Sequence, residues 1–103
     1  MLTLLDLHNQ EFRRAFRGYD CEEVDTYMVQ VIESYEIMTR RADWSLEQGV
    51  PVTAEGKRLL SPLEIHNQEF KRKFRGYDMD HVNDFLDRVI QSMEQLIQEK
   101  DNS

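Results

Sequence analysis

An internal repeat constrains this chain more than any other feature. At an offset of 58 positions, Leu5-Asp6-Leu7-His8-Asn9-Gln10-Glu11-Phe12 aligns with Leu63-Glu64-Ile65-His66-Asn67-Gln68-Glu69-Phe70. Phe16-Arg17-Gly18-Tyr19-Asp20 returns as Phe74-Arg75-Gly76-Tyr77-Asp78, and Val24, Tyr27, Met28, Val31 and Ile32 align with Val82, Phe85, Leu86, Val89 and Ile90. Such self-similarity is the mark of a duplicated supersecondary unit. It divides the chain into one copy over residues 1–42, a second over 61–103, and a linker over 43–60 that Gly49, Pro51 and Gly56 interrupt.

Each copy reads as a short helix, a loop and a long helix. Ser61 as cap, Pro62 at the first helical position and Glu64 form a capping box in the second copy, with Thr3 and Asp6 as the weaker equivalent. The short helices are expected over about Leu4 to Ala15 and Pro62 to Lys73, where the glycine of each loop permits a turn that a Cβ would hinder. Asp20 and Asp78 then cap the long helices.

Val24, Met28, Val31, Tyr35, Met38 and Ala42 follow alternating steps of four and three, and Val82, Leu86, Val89, Met93 and Leu96 repeat the seam. A copy of this size cannot bury such a seam alone, so the other copy is the natural partner. A long helix of about 22 residues spans about 33 Å. A linker of about 17 residues reaches about 55 Å when extended, enough to return and pair the helices in parallel. The expected fold is therefore all-α, two helix-loop-helix repeats pairing as a parallel coiled-coil pseudo-dimer. An antiparallel hairpin, which would need only a few linking residues, is the alternative pairing, and a third possibility is a structural subunit whose tips are buried by pairing of two chains into a four-repeat assembly.

Composition narrows the function. The net charge is −7, which argues against nucleic acid, since binding a phosphate backbone depends on a basic excess. Yet seven of the 13 Lys and Arg fall in two clusters: Arg13, Arg14 and Arg17, and Lys71, Arg72, Lys73 and Arg75. The lone Cys21 cannot form an intrachain disulfide, and no secretory pattern opens the chain, so a reducing cytoplasmic setting is expected. No apolar run approaches the ~20 residues of a membrane span. His8 with Glu11 and His66 with Glu69 lack the further inward carboxylates of a bundle metal site, so neither metal nor cofactor is expected. Without a phosphate-cradling glycine loop or a nucleophile-base pair, the chain reads as a non-enzyme.

The run His-Asn-x-Glu-Phe, Phe-Arg-Gly-Tyr-Asp, Val-Asn/Asp-x-Phe/Tyr-Leu/Met resembles the N-terminal domain of the DivIVA/GpsB family of bacterial cell-division scaffolds, in both copies. In that family two chains form a parallel coiled coil with crossed N-terminal segments, so the resemblance implies the same geometry here from one chain. It also implies a scaffold bound peripherally to the inner, anionic membrane surface through Phe16, Arg17, Phe74 and Arg75, positioning cell-division or cell-wall synthesis proteins. Arg13, Arg14, Lys71, Arg72 and Lys73 would support that contact. The plain alternative is that Phe16 and Phe74 pack beneath their loops.

The GpsB side of the resemblance implies an adaptor whose groove between short and long helix holds Arg-containing peptides. Its tyrosine falls at Tyr19 and Tyr77; its two acids fall at Asp25 and Val29 in one copy and at Asn83 and Asp87 in the other, one acid lost from each.

Overall fold

The computed structural model of the chain describes residues 2–102. Its elements are α1 (Leu4–His8), β1 (Arg14–Tyr19), α2 (Cys21–Arg40), β2 (Ser45–Glu47), β3 (Val50–Val52), α3 (Pro62–Asn67), β4 (Arg72–Phe74) and α4 (Met79–Asp101). Four helices are thus joined by two two-stranded antiparallel sheets, β1 with β4 and β2 with β3. This corrects the all-α helix-loop-helix expectation. The short helices stop at His8 and Asn67, and Arg14, Arg17, Arg72 and Lys73 beyond them lie in strands. The physical reason is that each copy's strand finds its hydrogen bonds on the other copy, a tertiary choice that overrides local helix propensity.

Caps set the helix starts. Thr3 accepts from the Asp6 amide while the Asp6 carboxylate accepts from the Thr3 amide, the complete capping box. That bond set holds the Asp6 carboxyl below the usual carboxylate range, first through the Thr3 backbone N–H. Ser61 also caps, but its hydroxyl turns to Glu64 Oε1, so the full box lies in the first copy. Asp20 accepts from the Glu22 and Glu23 amides, and Asp78 from that of His81.

α2 and α4 run side by side in one direction. Both start at the β1–β4 sheet, and at the far end Lys100 Nζ donates to the Ala42 carbonyl at 2.7 Å. Val24, Met28, Val31, Tyr35 and Met38 face Val82, Leu86, Val89 and Met93 in one buried cluster, with Leu7 and Ile65 of the short helices against it. Two buried serines tie the copies together at equivalent points: Ser92 Oγ accepts from the Leu2 amide and Ser34 Oγ from the Leu60 amide, each at 3.0 Å. The Tyr35 hydroxyl adds a bond to the Leu2 carbonyl.

The linker is ordered in part as a hairpin. Gln48 and Gly49 both have positive φ, the requirement of a two-residue turn whose twist suits antiparallel strands. Trp44 is buried beside the far end of the helices, its Nε1 donating to the Met38 carbonyl at 3.1 Å while Lys100 lies over its ring at 4.8 Å. On the outside, Arg41 bridges Asp43 and Glu55. The Arg41 hydrogen bond holds the Asp43 carboxyl below its ordinary range.

Candidate functional site

The end of the molecule opposite the hairpin is built by two strands that cross. Arg17 pairs with Phe74, Gly18 with Lys73 and Tyr19 with Arg72. Equivalent bonds flank the ladder, the Asp20 amide donating to the Lys71 carbonyl at 2.8 Å and the Asp78 amide to the Arg13 carbonyl at 2.7 Å. The glycines serve close approach. A Cβ on Gly18 would lie 2.1 Å from the Tyr77 carbonyl oxygen, and one on Gly76 would lie 2.2 Å from that of Tyr19. Neither glycine has positive φ, so the expected reason, freedom to turn, gives way to the absence of a side chain where two backbones touch.

The crossing throws Phe16 and Phe74 together at the extremity. Their rings stack edge to face with centroids 4.8 Å apart and are 74% and 58% exposed, which rules out packing beneath the strands. Arg75 lies over the Phe74 ring at 5.3 Å and takes a positive φ of 59°, unusual for a residue with a Cβ. The seven basic residues of the two clusters are all exposed around this tip. Arg13 reaches Asp78, Lys71 reaches Glu23 and Lys73 reaches Asp20 at 3.8 to 4.0 Å. Among the described residues, Arg17 and Arg72 carry no ion pair, so the tip keeps free positive charge in an acidic chain.

Behind the tip lie two clefts, each walled by both copies. Phe12 packs on Tyr77, His81 and Phe85, and its equivalent Phe70 packs on Tyr19 and Tyr27. The tyrosines cross with them. The Tyr77 hydroxyl donates to Asp25 Oδ1 at 2.9 Å, and the Tyr19 hydroxyl to Asn83 Oδ1 at 3.0 Å. The structure therefore joins Tyr77 to Asp25 and Val29, and Tyr19 to Asn83, rather than each tyrosine to the acid of its own copy. The first cleft, about 430 Å³, is lined by Leu7, Glu11, Phe12, Asp25, Val29 and Tyr77 among others. Burial, then the Asp25 carboxylate, pushes the Tyr77 phenol up to about 12. Burial, then the charge of Glu64, raises Tyr27 to about 12 as well. Asp87 is exposed on α4, one turn beyond Asn83.

Two residues escaped the sequence reading. Glu23 Oε1 accepts from the Lys71 amide at 2.8 Å, and His81 Nδ1 accepts from the Arg13 amide at 3.1 Å. The 58-residue offset pairs Glu23 with His81 and Lys71 with Arg13, so the signal was a conserved ability to accept a hydrogen bond behind a change of residue type. His8, Glu11, His66 and Glu69 are exposed, and among the described residues no group of three or more potential metal ligands gathers. No helix of the described residues is long and apolar enough to cross a membrane.

Known proteins resemble the chain along most of its length. The family described as DivIVA protein matches residues 2–50 and 60–103. Cell cycle protein GpsB of Halalkalibacterium halodurans is 32% identical over 68 residues, 65% of this chain and 64% of that protein. The GpsB proteins of Geobacillus thermodenitrificans and Streptococcus thermophilus are 48% identical over 42 residues and 55% over 31, spanning 41% and 30% of this chain and 43% and 28% of their own. The chain thus spans less than two thirds of the length of these relatives. No solved structure matches it.

Proposed function

The chain belongs to the DivIVA family, and from that premise we propose a non-enzymatic scaffold that docks its tip on the inner surface of the cell membrane and positions cell-division or cell-wall machinery. One observation carries the reading: two phenylalanine rings stand exposed side by side at the extremity, ringed by arginine and lysine. Exposed aromatic rings insert at the headgroup and acyl boundary, and each nearby Lys or Arg adds about 1 kcal/mol against an anionic leaflet. Phe16, Arg17, Phe74 and Arg75 make the contact, and Arg13, Arg14, Lys71, Arg72 and Lys73 surround it. Because the crossing fixes both rings in one plane of approach, they engage together, and the second insertion follows at the high effective concentration set by the first.

The test is sedimentation with vesicles of phosphatidylglycerol and phosphatidylcholine at fixed salt. The native chain is expected to pellet with them, and Phe16→Ala plus Phe74→Ala to stay in the supernatant. A native chain that ignores the vesicles sinks the reading.

A second reading is favoured by the cleft that joins Tyr77, Asp25 and Glu11 beside apolar Val29 and Leu7. A carboxylate already holding a phenol is placed to accept the bidentate donors of an arginine, so a basic peptide of a cell-wall synthase fits there. On the other side Tyr19 bonds Asn83, an amide in place of the first acid, with Asp87 exposed one turn on. Peptide binding that survives the Phe16 and Phe74 substitutions, without vesicle binding, would favour this adaptor.

A further inference from the structure

We propose that His81 is a proton-operated latch on one half of the tip, and that the other half, latched by Glu23, is indifferent to the same change of acidity. The inference concerns how the crossing segments are held, and stands whether the tip meets lipid or protein.

The two latches are equivalent in place and different in kind. Lys71 is held through its carbonyl by the Asp20 amide and through its own amide by Glu23 Oε1. Arg13 is held through its carbonyl by the Asp78 amide and through its own amide by His81 Nδ1. An amide has only a proton to offer, so Nδ1 must be bare, and the neutral ring carries its proton on Nε2; the Gln10 Nε2 amino nitrogen 3.4 Å away, which donates to the Glu11 carbonyl, does not accept it. Protonating the imidazole puts hydrogens on both nitrogens. The ring then has no acceptor left, and the Arg13 amide faces an N–H instead of a lone pair. Glu23 remains an acceptor over the same interval, because a carboxylate titrates near ~4.3 and an imidazole near ~6.5.

The charges around His81 do not supply a substitute acceptor for that amide. On its own helix Asp80 is adjacent, Asp84 lies one turn on and Arg88 two, and the Asp78 carboxylate is already taken by the His81 amide and the Arg13 guanidinium. From the crossing segment come Glu11 and Arg13, with the Phe12 ring edge-on at 5.4 Å. None of these groups restores the lost bond. The loss leaves Arg13 held by its carbonyl on the Asp78 amide and Phe12 by its ring contacts, and so loosens without freeing the segment that, through Gln10, Glu11 and Phe12, forms one wall of the Tyr77–Asp25 cleft. Acidification therefore loosens the Arg13 side and leaves the Lys71 side latched by Glu23.

Nuclear magnetic resonance on the ¹⁵N-labelled full chain reads both latches at once. Across pH 7.5 to 5.0, an interval chosen to bracket imidazole at ~6.5, the Arg13 amide proton is expected to move upfield in step with the His81 ring signals, while the Lys71 amide holds still. His81→Gln keeps an acceptor that does not titrate, so its Arg13 amide should stay fixed over the interval. A His81 ring that titrates without moving the Arg13 amide would overturn the proposal. So would a ring that never titrates there, an Arg13 transition that persists in His81→Gln, or Arg13 and Lys71 amides that move together. The native chain alone carries the Lys71 comparison should the variant fold poorly.

Discussion

The two ends of the helix pair are closed by different physics. At the tip, two strands from distant parts of the chain meet backbone to backbone, held by ladder bonds and the bareness of Gly18 and Gly76, while their large side chains point away into solvent. At the opposite end a hairpin turns a tryptophan inward, and Trp44 is only 4% exposed under Lys100. One end spends its apolar surface outward and relies on geometry for order; the other buries it and secures the helices. The lesson is a division of labour: the hairpin end stabilises the pair so that the tip can leave its phenylalanines unburied.

That contrast breaks most visibly at Trp44. Trp44→Ala removes a buried aromatic and should cost about 3–5 kcal/mol in urea unfolding, while the folded fraction still sediments with vesicles. A milder loss of stability, or a selective loss of vesicle binding, would mean the two ends are not separable as described. Gly76→Ala works from the other side. Its Cβ has backbone as its nearest neighbour and no flexible side chain to push, so about 1–3 kcal/mol and the vesicle contact should be lost together. Full retention of vesicle binding would show that the crossing is not what aligns the rings.

The sequence made the duplication, the caps and the buried faces of the long helices legible because these follow from local spacing. Val24, Met28, Val31, Tyr35 and Met38 are buried as their periodicity requires; Ala42 lies past the end of α2 and is exposed. The strands were not legible. The segment from Gln68 to Lys73 is polar and rich in helix-favouring residues, and the strand Arg72–Phe74 is set by Tyr19, Gly18 and Arg17, more than 50 positions away, which no local window contains. For the same reason Tyr19 and Tyr77 could be picked out as site residues, yet not assigned to the copy they serve. Trp44 stood in a stretch read as a linker, with no periodic neighbour to mark it as core.

The finest test lies within the tip, between residues the repeat equates. Arg75 takes a positive φ and Arg17 does not. Arg75→Gly relieves a left-handed backbone whereas Arg17→Gly only loosens a strand, so the unfolding free energies from urea titration should differ by about 1–2 kcal/mol in favour of the former. Equal effects would mean that the tip is more symmetric than its backbone angles.

The stretch of chain that joins the copies has a consequence beyond its hairpin. In an assembly of two identical chains, one inherited change appears in both halves, and any gain on one side is tied to its cost on the other. Here a single codon touches a single half. Tyr27 stands where the second copy has Phe85, Glu23 where it has His81, and Asp25 where it has Asn83, each position free to differ from its equivalent. A molecule built this way is released from having to be good at the same thing twice.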